Sequence, residues 1–151
     1  MQYFSQKLDR EAQLALLGAL RRIMAEAPLY TPTMPRSGTP MSVRMTNCGP
    51  LGWVTDKERG YRYQAAHPET GKKWPPMPRM MLELWDEVAG YPFPPEACLV
   101  NYYTGAAKMG LHQDRDEEDF AAPVLSVSLG DTGIFRVGGQ ARKDPTRKYE
   151  L

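Results

Sequence analysis

Apolar residues in "LDREAQLALLGALRRIMAEAP" recur at Leu14, Leu17, Leu20 and Met24, with Leu16 and Ile23 beside them. That is the spacing of one helical face. Asp9 is placed to cap the start of this helix and Pro28 to stop it. A second helix is predicted from about Arg79 to Ala89, with Met81, Leu84, Trp85 and Val88 on one face and Gly90 ending it. Between the two, residues 30–78 are rich in Pro, Gly and Thr and hold short β-type pieces such as "MSVRMT" and "YRYQ". Long irregular segments in compact domains are often binding elements, so this stretch is a candidate substrate lid. From Ala97 onward the period shortens to two. "CLVNYY" and "IFRVGG" predict strands, as does "PVLSVSLG", where Val124, Ser126 and Ser128 alternate with Leu125, Val127 and Leu129. Such a strand is buried on one side and faces a pocket or a second sheet on the other.

A chain of 151 residues and 17.1 kDa fits a single domain that can bury a core without staples. Apolar residues at 42% and charged residues at 25% exclude a disordered chain. The longest apolar run, "LALLGAL", is too short to span a bilayer, so no membrane role is expected. Cys48 and Cys98 lack C-x-x-C spacing and follow no secretory leader. Two reduced thiols in a cytoplasmic protein are therefore expected.

The net charge of +1 hides a polarised distribution. Residues 36–79 carry eight basic side chains against three acidic, and residues 80–120 carry two basic against nine acidic. The first segment could face phosphates and the second could hold a cation, although two ordinary solvated faces would look the same.

In an extended chain, side chains two apart point the same way, so His112 and Asp114 offer an imidazole nitrogen and a carboxylate oxygen to one point. Two such donors and one further histidine form the facial triad of non-haem Fe(II) oxygenases. The same H-x-D spacing also arises in any solvated turn, and it needs context to carry a metal.

That context comes from the whole block "NYYTGAAKMGLHQDRDEEDFAAPVLSVSLGDTGIFRVGG" with "ARKDPTRK" after it, and from "MSVRMTNCGPLGW" and "KWPPMPRMM" upstream. Together they resemble the AlkB family of Fe(II)- and 2-oxoglutarate-dependent dioxygenases over roughly residues 39–149. The resemblance implies an α+β, mainly β fold, with a double-stranded β-helix (jelly-roll) core, flanking helices and an N-terminal nucleotide-recognition lid. On that reading residues 1–151 are one domain: an N-terminal helix over 1–29, the lid over 30–78, and a helix with the first part of the core over 79–151.

The resemblance also implies roles. His112 and Asp114 match two iron ligands, and Asn101 and Tyr103 match the N-x-Y whose amide and phenol hydrogen-bond 2-oxoglutarate. Trp53 matches the aromatic that stacks on a flipped base, Met45 a lid residue beside that base, and Tyr61 the lid tyrosine that contacts a phosphate. Asp116 matches the acid that meets the exocyclic amine of a damaged base. Lys57, Arg59 and Arg62 are placed to hold the nucleic-acid backbone. His67 has no counterpart among the metal ligands and is expected to be an exposed loop histidine.

The implied cofactors are Fe(II), 2-oxoglutarate and dioxygen, with 2-oxoglutarate decarboxylated to succinate. The implied reaction removes N-methyl groups from bases of the 1-methyladenine and 3-methylcytosine type in DNA or RNA, releasing formaldehyde. The partner is single-stranded or flipped-base nucleic acid, the enzyme a monomer when full length. The family's second iron histidine and its 2-oxoglutarate-binding arginines find no match up to Leu151, so the core is expected to be incomplete in this chain. Two other functions remain open on the residues alone: a non-catalytic module binding single-stranded or methylated nucleic acid, and a 2-oxoglutarate oxygenase for a protein or small molecule.

Overall fold

The computed structural model describes residues 1–114 and 119–151. Its elements run α1 (Arg10–Glu26), β1 (Arg44–Cys48), β2 (Gly52–Asp56), β3 (Gly60–Gln64), α2 (Arg79–Val88), β4 (Cys98–Tyr102), β5 (Ile134–Gly138) and β6 (Thr146–Glu150). Each strand pairs with one antiparallel partner, β1 with β4, β2 with β3 and β5 with β6.

The α1 helix begins where the sequence places it, because the Asp9 carboxylate accepts the Ala12 N–H at 2.8 Å and Glu11 adds negative charge to the first turn. Its buried face differs from the expected one. Leu14 is 51% exposed, while Leu16, Ile23 and Ala27 are buried, with Leu20 half-buried between them. The stripe therefore runs Leu16, Leu20, Ile23, Ala27, which holds one helical face more strictly than the series from Leu14 does. Thr46 of β1 donates its hydroxyl to the Ala27 carbonyl at 2.8 Å, fastening the end of α1 to the strand beneath it. Asp9→Ala should cost about 1 kcal/mol by exposing the first-turn donors, read as a small drop in thermal midpoint with the strands unaffected.

For α2 the expectation holds. Leu84 and Trp85 are buried with Met81 and Val88 partly so, and Gly90 follows the helix at φ 62°, a left-handed residue suited to glycine. No helix among the described residues is long and apolar enough to cross a membrane.

β1 occupies the centre. Its Met45 exchanges two backbone hydrogen bonds with Tyr30, both 2.9 Å, on one edge, and stands opposite Asn101 of β4 on the other. Because both Met45 backbone groups point to Tyr30, Met45 and Asn101 form a non-hydrogen-bonded pair, the kind with the closer side chains. The core gathers Ala27, Tyr30, Val43, Met45, Val54 and Trp74, with Met41, Trp53, Leu99 and Met109 packed against it. Gly52 opens β2 where a Cβ would stand 2.5 Å from the Trp74 ring and 2.7 Å from the Asn47 Cβ. Only glycine lets the hairpin approach so closely.

Two strand expectations are revised. "PVLSVSLG" keeps its alternation, with Leu125, Val127 and Leu129 half-buried and Val124, Ser126 and Ser128 exposed, but it joins no ladder among the described residues. Periodicity fixes which way side chains point, and a strand also needs a neighbour. Conversely, β6, "TRKYE", was not anticipated. Its charged residues disguise a strand that Phe135 opposite Tyr149, and the Tyr3 hydroxyl donating to the Glu150 carbonyl at 3.0 Å, hold in place.

Candidate functional site

The candidate site residues lie in three places in the chain. The first is the β2–β3 hairpin. Trp53 and Tyr61 lie on the same face of it, and their rings stack with centroids 5.5 Å apart and planes 25° from parallel. Trp53 is half-buried against the core, whereas Tyr61 is 45% exposed. Tyr61 also borders a hollow of about 360 Å³ lined by Met34, Pro35, Arg36 and Ser37. The expected single aromatic surface is thus a two-ring stack with its outer member in solvent.

Charges around the hairpin sort differently from expectation. Arg62 is committed internally: its Nη2 meets the Asp56 carboxylate at 2.7 Å, its Nε donates to Gln64 Oε1 at 2.9 Å and its Nη1 to the Gly60 carbonyl at 3.1 Å. The carboxylate of Asp56 caps the turn, accepting the Arg59 and Glu58 N–H groups. The Arg59 N–H first, and the Arg62 guanidinium after it, hold its carboxyl below the usual carboxylate range. Lys57 and Arg59 remain exposed at the tip.

The second place is β4. Asn101 is exposed near its end, and Tyr103, two residues on, is half-exposed. Partial burial pushes the Tyr103 phenol up, and like any tyrosine it is a hydrogen-bond donor at neutral pH. Met45, expected beside a base, is fully buried. Its side chain lies in the core cluster against which Trp53 packs, so it supports the stack from inside and does not reach the surface. Cys48 and Cys98 face each other across the same ladder as free thiols. Their hydrogen bond pushes the Cys48 thiol up and draws Cys98 down, and Cys48 is fully buried.

The third place is the segment at His112. The imidazole Nδ1 lies 2.8 Å from the Gly110 carbonyl, which only a protonated Nδ1 can satisfy. On a neutral ring the lone pair is on Nε2, which lies 3.5 Å from Asp114 Oδ1, whereas a doubly protonated ring would meet that carboxylate as an ion pair. Both side chains are more than half exposed. A ring held by a carbonyl on one nitrogen, with the other nitrogen beside a carboxylate oxygen, is the arrangement that metal-ligating histidines adopt. These two donors fit one divalent cation. Gln113 between them donates to the Gln140 carbonyl, tying this segment to the turn after β5.

No three His, Cys, Asp or Glu side chains converge among the described residues. His67 lies elsewhere, in a loop as expected but not exposed. It is 1% exposed, with its ring against Tyr30 and Trp74. Asp116 lies outside the described residues. One residue that sequence reasoning missed is Asn47, fully buried on β1, whose amide grips the Trp53 backbone. Nothing in "TNCG" distinguishes it, since its role depends on where β2 passes.

The model of the 2OG-Fe(II) oxygenase superfamily matches residues 1–151. An alpha-ketoglutarate-dependent dioxygenase AlkB homolog of Caulobacter vibrioides is 53% identical over 144 residues, covering 95% of this chain and 64% of its own length. The Escherichia coli (strain K12) alpha-ketoglutarate-dependent dioxygenase AlkB is 44% identical over 140 residues, covering 90% of this chain and 64% of its own. The chain thus spans 64% of the length of these two relatives. The solved structure of OsALKBH1 superposes with a TM-score of 0.80 at 25% identity, over 99% of this chain and 78% of that one.

Proposed function

The chain belongs to the 2OG-Fe(II) oxygenase superfamily, and from that premise we propose that it serves the oxidative demethylation of N-methylated nucleobases in single-stranded or flipped-out DNA or RNA. The relatives named as AlkB dioxygenases support the chemistry. The observation that carries the reading to this chain is the His112–Asp114 pair, with Nε2 freed by the Gly110 hydrogen bond and set beside the carboxylate. On this reading the strands contribute to a double-stranded β-helix core.

His112 and Asp114 would hold Fe(II), which supplies oxidative chemistry with 2-oxoglutarate and dioxygen when bound. The Asn101 amide and the Tyr103 phenol would donate to 2-oxoglutarate. A methyl on a pairing edge is unreachable inside a duplex, so the base must be extruded or already unpaired. The Trp53–Tyr61 stack offers it a π-surface, and Arg36 beside Tyr61 and the tip residues Lys57 and Arg59 offer charge to the phosphates. Arg62 drops out of that set because Asp56 already neutralises it. A carboxylate at Asp116 would favour the cationic methylated bases over neutral ones.

Calorimetric titration with Mn(II), a stand-in that needs no reductant, tests the metal pair. His112→Ala should weaken binding by at least about tenfold, since one of two donors is lost. Unchanged Mn(II) affinity would sink the assignment. Fluorescence anisotropy with a 1-methyladenine single strand, against the unmodified strand and its duplex, tests the substrate, and indifference among the three would count against a methylated target.

A further inference from the structure

Trp53 carries its aromatic ring on an exposed hairpin, and a ring that is to stack on a base must be held in one orientation. In β2 the Trp53 N–H and C=O both point away from β3, because both are taken by one group on the other side. The Trp53 N–H donates to Asn47 Oδ1 at 3.1 Å, and Asn47 Nδ2 donates to the Trp53 carbonyl at 3.0 Å. Trp53 therefore stands opposite Tyr63 as a non-hydrogen-bonded pair, with its backbone groups on the open edge of the hairpin. Among the described residues no strand pairs along that edge, since β2 and β1 belong to different two-stranded sheets. A side-chain amide has the same donor and acceptor as a peptide, so Asn47 supplies the bonds that a third strand would otherwise supply.

The surroundings make this bond pair directional. Asn47 is fully buried on β1 and opposite Leu99 of β4. The Tyr30 hydroxyl also donates to the Trp53 carbonyl, at 3.2 Å, and burial pushes that phenol up to about 12. The missing Cβ of Gly52 lets β2 come close enough for the amide to reach.

We infer that Asn47 is a positioning residue that fixes the Trp53–Tyr61 stack over β1 and thereby sets affinity for an unpaired nucleobase. The inference rests on the nucleic-acid reading above for its ligand, and on the two hydrogen bonds for its mechanism. Asn47 touches no base. It acts through the main chain of the residue that does.

The experiment compares Asn47→Ala with Ile23→Ala, a change at a buried α1 residue that takes no part in the Trp53 bonds, chosen to lower the thermal midpoint to a similar degree. Tyr30→Phe, which removes only the auxiliary bond, serves if Asn47→Ala does not fold. Two readouts are taken. Amide hydrogen exchange at Trp53 reports the clamp without any nucleic acid, and anisotropy with a 1-methyladenine single strand reports its consequence. Asn47→Ala should expose the Trp53 amide to exchange and lower affinity by about tenfold, with Tyr30→Phe a few-fold and Ile23→Ala near wild type. Equal affinity losses in Asn47→Ala and Ile23→Ala would reduce Asn47 to a stability residue and overturn the inference. A Trp53 amide equally protected in Asn47→Ala would overturn it as well. Failure of the wild-type chain to bind the strand, with Trp53 exchange still controlled by Asn47, would instead reject the nucleic-acid reading and leave the clamp standing.

Discussion

Replacing His67 with alanine should destabilise the protein by about 3 kcal/mol. The ring's protonation is fixed by its neighbours. Its Nδ1 accepts the N–H groups of Glu69 at 3.1 Å and Thr70 at 3.3 Å, so Nε2 carries the hydrogen and donates to the Pro28 carbonyl at 2.8 Å. Alanine would remove the partner of two donors and one acceptor at the edge of the core and leave a void between Tyr30 and Trp74. For a chain of this size the thermal midpoint should fall by roughly 6–12 °C. Mn(II) affinity should be unchanged, because His67 joins the end of α1 to the 67–72 turn and holds no cation. A stable His67→Ala protein that lost Mn(II) binding would reverse this assignment.

Trp53→Ala should lower affinity for a methylated single strand by about 10- to 100-fold, in keeping with the loss of one stacking platform. Tyr61→Ala tests whether the two rings act together. Half-exposed and leaning on Trp53, Tyr61 should cost less alone and add little once Trp53 is gone. Full additivity would show that the rings serve separate nucleotides. Salt dependence separates the stacking from the charge contribution: Arg36→Ala should flatten the slope of affinity against salt, and Trp53→Ala should leave it unchanged.

Much of the local structure was legible because local rules decide it. Asp9 before an apolar-periodic run, and Gly90 after one, mark helix ends through backbone groups that must be satisfied whatever the rest of the chain does. The phase of α1 was not, since choosing between Leu14 and Leu16 as the buried series requires knowing which side β1 will take. The closeness of His112 to Asp114 was legible in their spacing, and the metal role proposed for them rests on that closeness. Met45 was placed in the right neighbourhood at the wrong depth, as a strand residue's neighbours follow from pairing and its burial from what covers it. His67 and Arg62 misled for one reason. A polar residue in a Pro- and Gly-rich stretch reads as solvent-facing until its partners are known, and the partners of His67 come from residues as distant as Pro28. Asn47 left no trace in the pattern at all, because a side chain that substitutes for a strand has no periodicity.

The pairing of β1 with β4 also determines when the site comes into being. It joins residues 44–48 to residues 98–102, so the chain must close a loop of about 50 residues before the first bond of that ladder is rewarded. The β2–β3 hairpin and both helices need only near neighbours and can form earlier. The aromatic stack can therefore exist before it has anything to face, while Asn101 meets Met45 only at the late, long-range step. Any opening that melts this ladder frees β4, with Asn101, from β1 in a single event.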